Sequence, residues 1–261
     1  MIKVNSLPVN AGYYPDGTLR LNLAPQGDNA QIEWLFENNE EAFIVYFITH
    51  HLRVHGTKHI TLKMPYIPNA RMDRVRADDE IFTLKYFADF INGLNFDKVI
   101  VRDPHSAVSL EAFERLECED IKPVLNSLCS KLLTPKDTVF FPDAGSCKRY
   151  SGYLSNVNII YGVKNRDWKT GKILGLNVEG NIPPAPFNVL IIDDISSYGG
   201  TFYHSAKKLK ELGANKIWLY ITHCENSILE GDLIKSGLVE RIFTTKSIFT
   251  KQHNLIEIIG E

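Results

Sequence analysis

The sequence predicts an α/β fold with two doubly wound, parallel-sheet domains. Short runs of β-branched and aromatic residues alternate along the chain with segments of helical periodicity, which is typical of βαβ units. Polar residues able to bind phosphate or metal follow several of these runs. Since ligands bind such folds at the carboxyl ends of the strands, the pattern predicts a ligand site there.

The composition is that of an ordinary globular protein of 261 residues, with 44% hydrophobic and 23% charged residues. A net charge of −2 gives no electrostatic reason to expect nucleic acid as a partner. The longest apolar run, residues 42–48, is too short to cross a bilayer, so we expect no membrane partner and a cytoplasmic location. The four cysteines form no C-x-x-C pair, which predicts reduced thiols.

In the first half, alternation over residues 3–23 predicts a hairpin whose turn is Tyr14-Pro15-Asp16-Gly17. Apolar spacing after Ile81 predicts a helix that ends at Gly93. Three histidines fall four apart but span the break at Gly56, so a metal site there is not favoured: His51, His55 and His59. The predicted strands of this half cover residues 43–48, 60–64 and 98–102.

In the second half, an irregular stretch near residues 120–136 separates two α/β units. The expected domains are residues 1–132 and 133–248, with the tail 249–261 packing on the first. The predicted strands of this half cover residues 138–141, 158–163, 189–192, 216–222 and 242–245.

Residues 189–201 form the most informative stretch. A buried strand ends in two carboxylates, Asp193 and Asp194, and a small-residue loop then leads into a helix. Glycines let backbone N–H groups approach a phosphate, and a helix N-terminus favours negative charge. The stretch therefore suits a sugar phosphate, with a tight βα turn and solvated aspartates as the alternative. The loop residues are Ser196, Ser197, Tyr198, Gly199, Gly200 and Thr201.

Other predicted strands also end in charged or polar residues. Residues 65–74 contain two prolines, which exclude a regular element, so their charges lie in a loop at a strand end. The alternatives are a solvated charged loop and a structural histidine. The candidates are Arg71, Asp73 and Arg74 in that loop, His105 after the next strand, Asp143 after a third, and Lys164 and Arg166 after a fourth.

With these motifs in order, the chain resembles the phosphoribosyl pyrophosphate (PRPP) synthetases, or ribose-phosphate diphosphokinases. Asp16-Gly17 resembles the family's hairpin motif Asp-Gly-Glu, and residues 70–74 resemble its Ala-Arg-Gln-Asp-Arg loop. Residues 103–106 resemble Asp-Leu-His-Ala, and residues 142–145 resemble its Pro-Asp-x-Gly strand end. Residues 164–166 resemble the start of its mobile catalytic loop, and residues 193–201 its ribose 5-phosphate loop.

The resemblance implies two phosphoribosyltransferase-type domains, Mg²⁺, and a homo-oligomer in which the hairpin completes a neighbour's ATP site. It also implies transfer of the β,γ-diphosphoryl group of ATP to the anomeric hydroxyl of ribose 5-phosphate, giving PRPP and AMP. The implied roles are catalysis by Lys164, Arg166 and His105; ATP binding by Asp16, Arg71, Asp73, Arg74 and His105; metal binding by His105 and Asp143; and ribose-phosphate binding by Asp193, Asp194 and residues 196–201.

Three departures bear on the substrate. Thr18 and Met72 replace a Glu and a Gln of the family motifs on the side of the nucleotide base, and Ser197-Tyr198 replaces an Asp-Thr pair in the phosphate loop. The aromatic ring favours, as an alternative acceptor, ADP-ribose, which carries more than a phosphate on its ribose and would give ADP-ribose pyrophosphate in NAD salvage. A non-catalytic PRPP synthetase-like binding subunit is a second alternative. A nucleobase phosphoribosyltransferase would not require the ATP motifs.

Overall fold

The computed structural model describes residues 1–166 and 173–260, with only the backbone described for residues 164–166, 173 and 174. The chain divides into two compact units, Met1–Glu119 and Asp120–Glu261. Each unit contains one large sheet in which most neighbouring strands are parallel. The predicted α/β class with two doubly wound domains is confirmed.

The first unit is built on a six-stranded sheet. Its strands in chain order are β1 (Ile2–Val4), β2 (Leu7–Pro8), β5 (Asn29–Trp34), β6 (His59–Lys63), β7 (Lys98–Arg102) and β8 (Leu116–Glu119), and a separate hairpin contains β3 (Ala11–Tyr13) and β4 (Leu19–Leu21). The spatial order is β2-β1-β5-β6-β7-β8. Strands β5 to β8 are parallel, while β1 and β2 pair antiparallel at one edge.

Where the sequence predicts one hairpin over residues 3–23, the structure has two, one joining β1 to β2 and one joining β3 to β4. The predicted turn chemistry is confirmed in the second. The Gly17 N–H donates to the Tyr14 carbonyl at 2.9 Å, and Gly17 has a φ of +84°, a conformation that glycine adopts without steric cost.

The helices of the first unit are α1 (Glu41–Val54), α2 (Thr83–Gly93) and α3 (Ala107–Ala112). The predicted strand over residues 43–48 is wrong, because this segment belongs to α1. Its buried residues, among them Ile44, Ile48 and Leu52, recur every four positions, while Phe43 and Phe47 are exposed. That burial pattern is helical, and a short apolar run does not distinguish a helix from a strand.

The second unit is built on a seven-stranded sheet. Its strands are β9 (Thr138–Phe141), β10 (Asn158–Arg166), β11 (Ile173–Gly180), β12 (Phe187–Ser196), β13 (Ala214–Cys224), β14 (Arg241–Thr244) and β15 (Ile256–Ile258). The spatial order is β11-β10-β9-β12-β13-β14-β15, and every neighbouring pair except β10 and β11 is parallel.

The second sheet is covered on both faces. Its helices are α4 (Lys122–Leu132), α5 (Ala144–Tyr150), α6 (Gly200–Glu211) and α7 (Asp232–Lys235), with short 3₁₀ helices at Ser151–Tyr153 and Asn226–Glu230. Consecutive residues of β12 face opposite sides, as the strand period requires. Ile191 lies in the core with Phe202 of α6, and Ile192 lies in the core with Leu125 of α4 and Tyr150 of α5.

The two compact units meet at a different residue from the predicted domain limit. The division falls at residues 119/120 rather than 132/133, because the stretch near residues 120–136 contains α4, whose buried leucines pack in the second unit. Pro123 stands in the first turn of α4, where a missing N–H costs nothing. In the tail, β15 pairs with β14 of the second sheet.

None of the helices in the described ranges is long and apolar enough to cross a membrane. None of the four cysteines, all of which lie in the described ranges, is in a disulfide. Cys129 and Cys224 are buried, and burial raises the pKa of their thiols to about 11 and about 12.

Candidate active site

The second sheet has a topological switch point between β9 and β12. From β9 the chain moves to β10 on one side and later returns to β12 on the other. The carboxyl ends of strands at such a point border a crevice, which is where open α/β sheets bind ligands. Asp143 directly follows β9 in this crevice region, and Asp193 and Asp194 lie in the last four residues of β12.

The two β12 aspartates are held in a close electrostatic group with Asp143. They lie within the strand, because β12 continues to Ser196 rather than ending before Asp193 as predicted. Burial raises the pKa of Asp193 well above its usual range, and the nearby charges of Asp194 and Asp143 raise it further. The Asp194 N–H donates to Asp193 Oδ1 at 3.1 Å. Neighbouring carboxylates in this state attract hydroxyl donors and cations.

Arg149 supplies positive charge to this group. It lies on α5, and its Nη1 donates to Asp194 Oδ2 at 3.3 Å. Asp194 is only 6% exposed, so the ion pair is partly shielded from water. The sequence analysis missed Arg149. The available signal was its position in the sequence, near the end of the short helix that follows the candidate Asp143.

The loop after β12 leads directly into α6. Gly199 stands before the first helical residue with a φ of +77°, and its carbonyl accepts the Tyr203 N–H at 2.9 Å. In the described part of the chain, no side chain caps this helix start. A helix start without a side-chain cap leaves its first backbone N–H groups available to an anion, which suits a phosphate.

The 3₁₀ helix Asn226–Glu230 and α7 form a wall behind this loop. A Cβ on Gly231 would overlap the carbonyl oxygen of Tyr198, so only glycine allows the loop to lie where it does. A Cβ on Gly199 would come within 3.3 Å of Leu233. The backbone of the loop is thus fixed from behind, whereas the Tyr198 side chain is 59% exposed.

In the first unit, two candidate loops follow neighbouring parallel strands and share one edge of the sheet. The loop after β6 carries Arg71, Asp73 and Arg74, and His105 follows β7. The Arg102 N–H donates to the Pro65 carbonyl at 2.9 Å, which joins the starts of the two loops. Arg71 and Arg74 are exposed, and Asp73 Oδ1 lies 3.6 Å from Arg74 Nε. The edge therefore presents positive charge to solvent.

The backbone before His105 is unusual. Asp103 has a φ of +45° and is buried, a conformation that non-glycine residues rarely adopt. Such outliers cluster at functional sites, where the surrounding structure enforces them.

An ion cluster at the same edge was not found from the sequence. Glu119 at the end of β8 accepts from Arg102 Nε at 2.6 Å and lies 3.0 Å from Lys63 Nζ. Burial alone would raise the pKa of Glu119, but the two cations outweigh it and the pKa is lowered. The cluster joins the ends of β6, β7 and β8. It could not be predicted from the sequence, because residue spacing does not show which strands are neighbours in the sheet.

Asp16 lies in the exposed turn of the β3–β4 hairpin. Its Oδ1 accepts the Thr18 N–H at 3.0 Å and the Thr18 hydroxyl at 2.7 Å, and these hydrogen bonds lower the pKa of Asp16. The Thr18 side chain thus supports the turn.

Lys164 and Arg166 lie at the end of β10, where their backbones pair with Leu176 and Ile173 of β11. The strand continues three residues further than predicted. The side chains of both residues, and residues 167–172 that follow them, lie outside the described part of the chain.

The carboxylates suit Mg²⁺ by their chemistry. Among the described residues, no three of the types His, Cys, Asp and Glu come together as a metal cluster. Mg²⁺ commonly takes one or two protein carboxylates and completes its shell with water and substrate phosphates. Asp143, beside the β12 aspartates, fits that limited protein contribution. His105 belongs to the first unit.

Comparison with known proteins gives a consistent family. Ribose-phosphate pyrophosphokinase from Pyrococcus furiosus is 27% identical over 237 residues, covering 88% of this chain and 79% of the relative. The enzyme of that name from Sulfurisphaera tokodaii is 28% identical over 258 residues, covering 95% and 87%. The chain is therefore similar to ribose-phosphate pyrophosphokinases over most of its length. No family model matches it.

A solved structure has the same fold as this chain. Phosphoribosylpyrophosphate synthetase from Mycobacterium smegmatis superimposes with a TM-score of 0.78 over 97% of this chain and 85% of that one, at 16% identity. The similarity covers both units. The predicted phosphoribosyltransferase-type architecture is therefore confirmed.

Proposed function

We propose that the chain is a ribose-phosphate diphosphokinase, which transfers the β,γ-diphosphoryl group of ATP to the anomeric hydroxyl of ribose 5-phosphate and releases PRPP and AMP. The observation that carries this proposal is the β12–α6 site, in which two carboxylates precede an uncapped helix start at a switch point. Homology to ribose-phosphate pyrophosphokinases over most of the chain supports ATP as the donor.

In this proposal the second unit binds the acceptor. Asp193 and Asp194 accept hydrogen bonds from the ribose hydroxyls. The backbone N–H groups of residues 196–201 bind the 5-phosphate, where the helix dipole of α6 favours its charge. The wall behind the loop fixes this geometry before the acceptor arrives, so little ordering is needed on binding.

The first unit binds ATP in this proposal. Arg71 and Arg74 meet the phosphates, Asp73 and His105 orient the nucleotide, and Asp16 contributes from its hairpin. We propose that this hairpin completes the ATP site of a neighbouring subunit in a homo-oligomer. Measurement of the solution mass by light scattering tests the assembly, and a monomer that turns over at full rate would contradict it.

Transfer of a diphosphoryl group needs in-line positioning and positive charge over the developing negative charge. Asp143 and His105 would hold Mg²⁺, which when bound neutralises the charge of the polyphosphate. Lys164 and Arg166 close over the transferring group. Removal of either cation should lower the rate by about 10² to 10³, as for other donors that act on transition-state charge.

Mass spectrometry of the products tests the proposal. The protein is incubated with ATP and Mg²⁺, with ribose 5-phosphate in one sample and ADP-ribose in the other. AMP and PRPP in the first sample would establish the function. ATP binding without AMP in either sample would contradict it and would indicate a non-catalytic binding subunit.

Tyr198 favours a second candidate acceptor. Its ring is 59% exposed in the loop proposed to bind the 5-phosphate, where a stacking surface would serve a group attached beyond that phosphate. ADP-ribose has such a group, and its product would be ADP-ribose pyrophosphate. In a Tyr198→Thr variant we expect activity with ADP-ribose to fall and activity with ribose 5-phosphate to persist. An equal loss with both acceptors would contradict this role of the ring.

A further inference from the structure

We infer that Arg149 is a positioning residue for the acceptor, holding Asp194 in the orientation that receives the ribose hydroxyls. The inference rests on the proposed function, because it names a supporting residue of the same site. Its basis is the contact between Arg149 Nη1 and Asp194 Oδ2, which joins α5 to β12 across the switch point at 3.3 Å.

The start of α5 is fixed at the crevice. Asp143 caps the helix, accepting the Ser146 N–H at 3.0 Å, while the Asp143 N–H donates to the Ser146 hydroxyl at 3.3 Å. This reciprocal pair is a capping box, which fixes how the chain enters the helix. The helix has only seven residues, so Arg149 at its penultimate position is held by the same anchor as Asp143.

The end of α5 is fixed as well. Tyr150 is 1% exposed, and its ring stacks on Phe141 of β9 with the ring centroids 6.1 Å apart. The Arg149 guanidinium carbon lies 5.0 Å from the centre of the Tyr150 ring. Contact with an aromatic face restricts a guanidinium to few rotamers. Arg149 is therefore directed to Asp194 by packing from its own helix.

The charge balance gives this contact a consequence. Asp193, Asp194 and Asp143 are close enough for their charges to interact, and Arg149 is a cation paired with one of them, Asp194. Without it, Asp194 would lose the contact that fixes the direction of its carboxylate, and repulsion from the nearby carboxylates would favour another orientation. The ribose hydroxyls need the carboxylate oxygens of Asp193 and Asp194 in a fixed arrangement. Loss of Arg149 should therefore weaken acceptor binding more than ATP binding.

The alternative role is direct contact between Arg149 and the polyphosphate. The two roles predict different kinetics. A positioning residue raises the KM for ribose 5-phosphate, whereas a polyphosphate contact raises the KM for ATP or lowers kcat alone. Lysine would preserve the charge at position 149 but not the planar fork, so it should restore acceptor binding in part.

The experiment compares Arg149→Gln, Arg149→Lys and a matched control, Arg241→Gln. Arg241 also pairs with a carboxylate in the second unit, with Nη1 3.0 Å from Glu257 Oε2, but this pair joins β14 to β15. Titration calorimetry with ribose 5-phosphate alone gives the acceptor Kd, and steady-state AMP formation gives both KM values. Circular dichroism confirms that each variant is folded.

For Arg149→Gln we expect the acceptor Kd and KM to rise about tenfold, with the KM for ATP within about twofold of the wild type. The acceptor Kd and KM of Arg149→Lys should lie between those of the wild type and Arg149→Gln, and those of Arg241→Gln should match the wild type. An unchanged acceptor Kd, or a rise confined to the KM for ATP, would overturn the inference. If Arg149→Gln does not fold, the acceptor Kd of Arg149→Lys decides in the same way.

Failure of the proposed function is distinguishable from failure of this inference. A wild-type protein that binds ribose 5-phosphate but forms no AMP would refute the proposed transfer, while the calorimetry would still measure what Arg149 contributes. Wild-type turnover with an unchanged acceptor Kd in the variants would refute the role of Arg149 alone.

Discussion

At the amino edge of each sheet, a carboxylate placed just before a central strand accepts a hydrogen bond from the neighbouring strand. Asp97 accepts the Ile60 N–H in the first unit, and Asp137 accepts the Asn188 N–H in the second, both at 2.7 Å. The carboxyl edges differ. The carboxyl edge of the second sheet carries the buried Asp194 and a loop fixed from behind, whereas that of the first sheet carries an exposed arginine loop.

This difference separates two ways of building a site. Folding of the second unit sets the positions of Asp194 and Gly199, because burial and backbone contacts determine them. Arg71 and Arg74 are exposed in a loop, so we expect their final positions to depend more on what binds them. Substitutions in the second unit should therefore change stability and acceptor binding together, whereas those in the arginine loop should change nucleotide binding alone.

The largest expected effect follows from Asp194→Asn. The substitution removes a buried charge from its pair with Arg149, and we expect kcat/KM for the acceptor to fall about 10²-fold. Steady-state AMP formation measures this, with Asp232→Asn on the exposed side of α7 as the control. Equal activity of the two variants would remove Asp194 from the acceptor site.

Gly231→Ala tests the wall behind the loop. The added Cβ would overlap the Tyr198 carbonyl, so the free energy of unfolding should fall by about 2 kcal/mol. Urea titration measures the change. Gly152→Ala is the matched control, because nothing lies within 4 Å of its Cβ position, and it should stay within about 0.5 kcal/mol of the wild type. Similar values for both would show that the loop relaxes at no cost.

Arg71→Ala tests the opposite behaviour in the first unit. The side chain is exposed, so the free energy of unfolding should change by less than about 0.5 kcal/mol while the KM for ATP rises about tenfold. Lys58→Ala is the control. Lys58 lies just before β6 and is an exposed cation paired with Asp28, and its removal should leave the KM for ATP unchanged. A loss of stability with unchanged ATP affinity would reverse the contrast between the units.

The smallest expected effect concerns acid stability at the amino edges. Burial alone would raise the pKa of Asp137, but hydrogen bonds from Thr134 and Asn188 outweigh it and the pKa is lowered. A lowered folded-state pKa gives stability that is present above the unfolded value of about 3.9 and is lost as the pH falls through the folded value.

Asp137→Asn should therefore lower the free energy of unfolding by about 1 kcal/mol at pH 7 and by less as the pH falls below about 4. Hydrogen bonds from His59 and Ile60 also lower the pKa of Asp97. Asp97→Asn should therefore lower the free energy of unfolding in the same direction but by less, because the Asp97 side chain is 46% exposed. Urea titrations across this pH range measure both. A deficit that grows toward low pH would contradict the sign.

Local sequence patterns predicted several strands of both sheets closely but missed β5, β8, β11 and β15. The limits of β7 and β9 agree with the predicted residues, because a short β-branched run between polar residues has few other structures available. Patterns were ambiguous where an amphipathic helix exposes aromatic residues, as α1 does at Phe43 and Phe47. Helix α4 was missed because its few buried positions lie in a polar stretch.

Site prediction divided along similar lines. Each candidate loop was found from the residues that follow a strand, since that rule needs no tertiary information. The contact of Arg149 with Asp194 joins residues 45 positions apart, and it depends on the strand order β9-β12. The packing of Gly231 against Tyr198 likewise depends on where the chain returns after β13. Neither can be read from local spacing.

The contact between Gly231 and Tyr198 involves the tyrosine backbone, not its ring. The side chain at position 198 can therefore be exchanged while the loop keeps its support. Position 231 is therefore restricted to glycine while position 198 tolerates other side chains, so the residue at position 198 can change in evolution or by engineering without first rebuilding the fold.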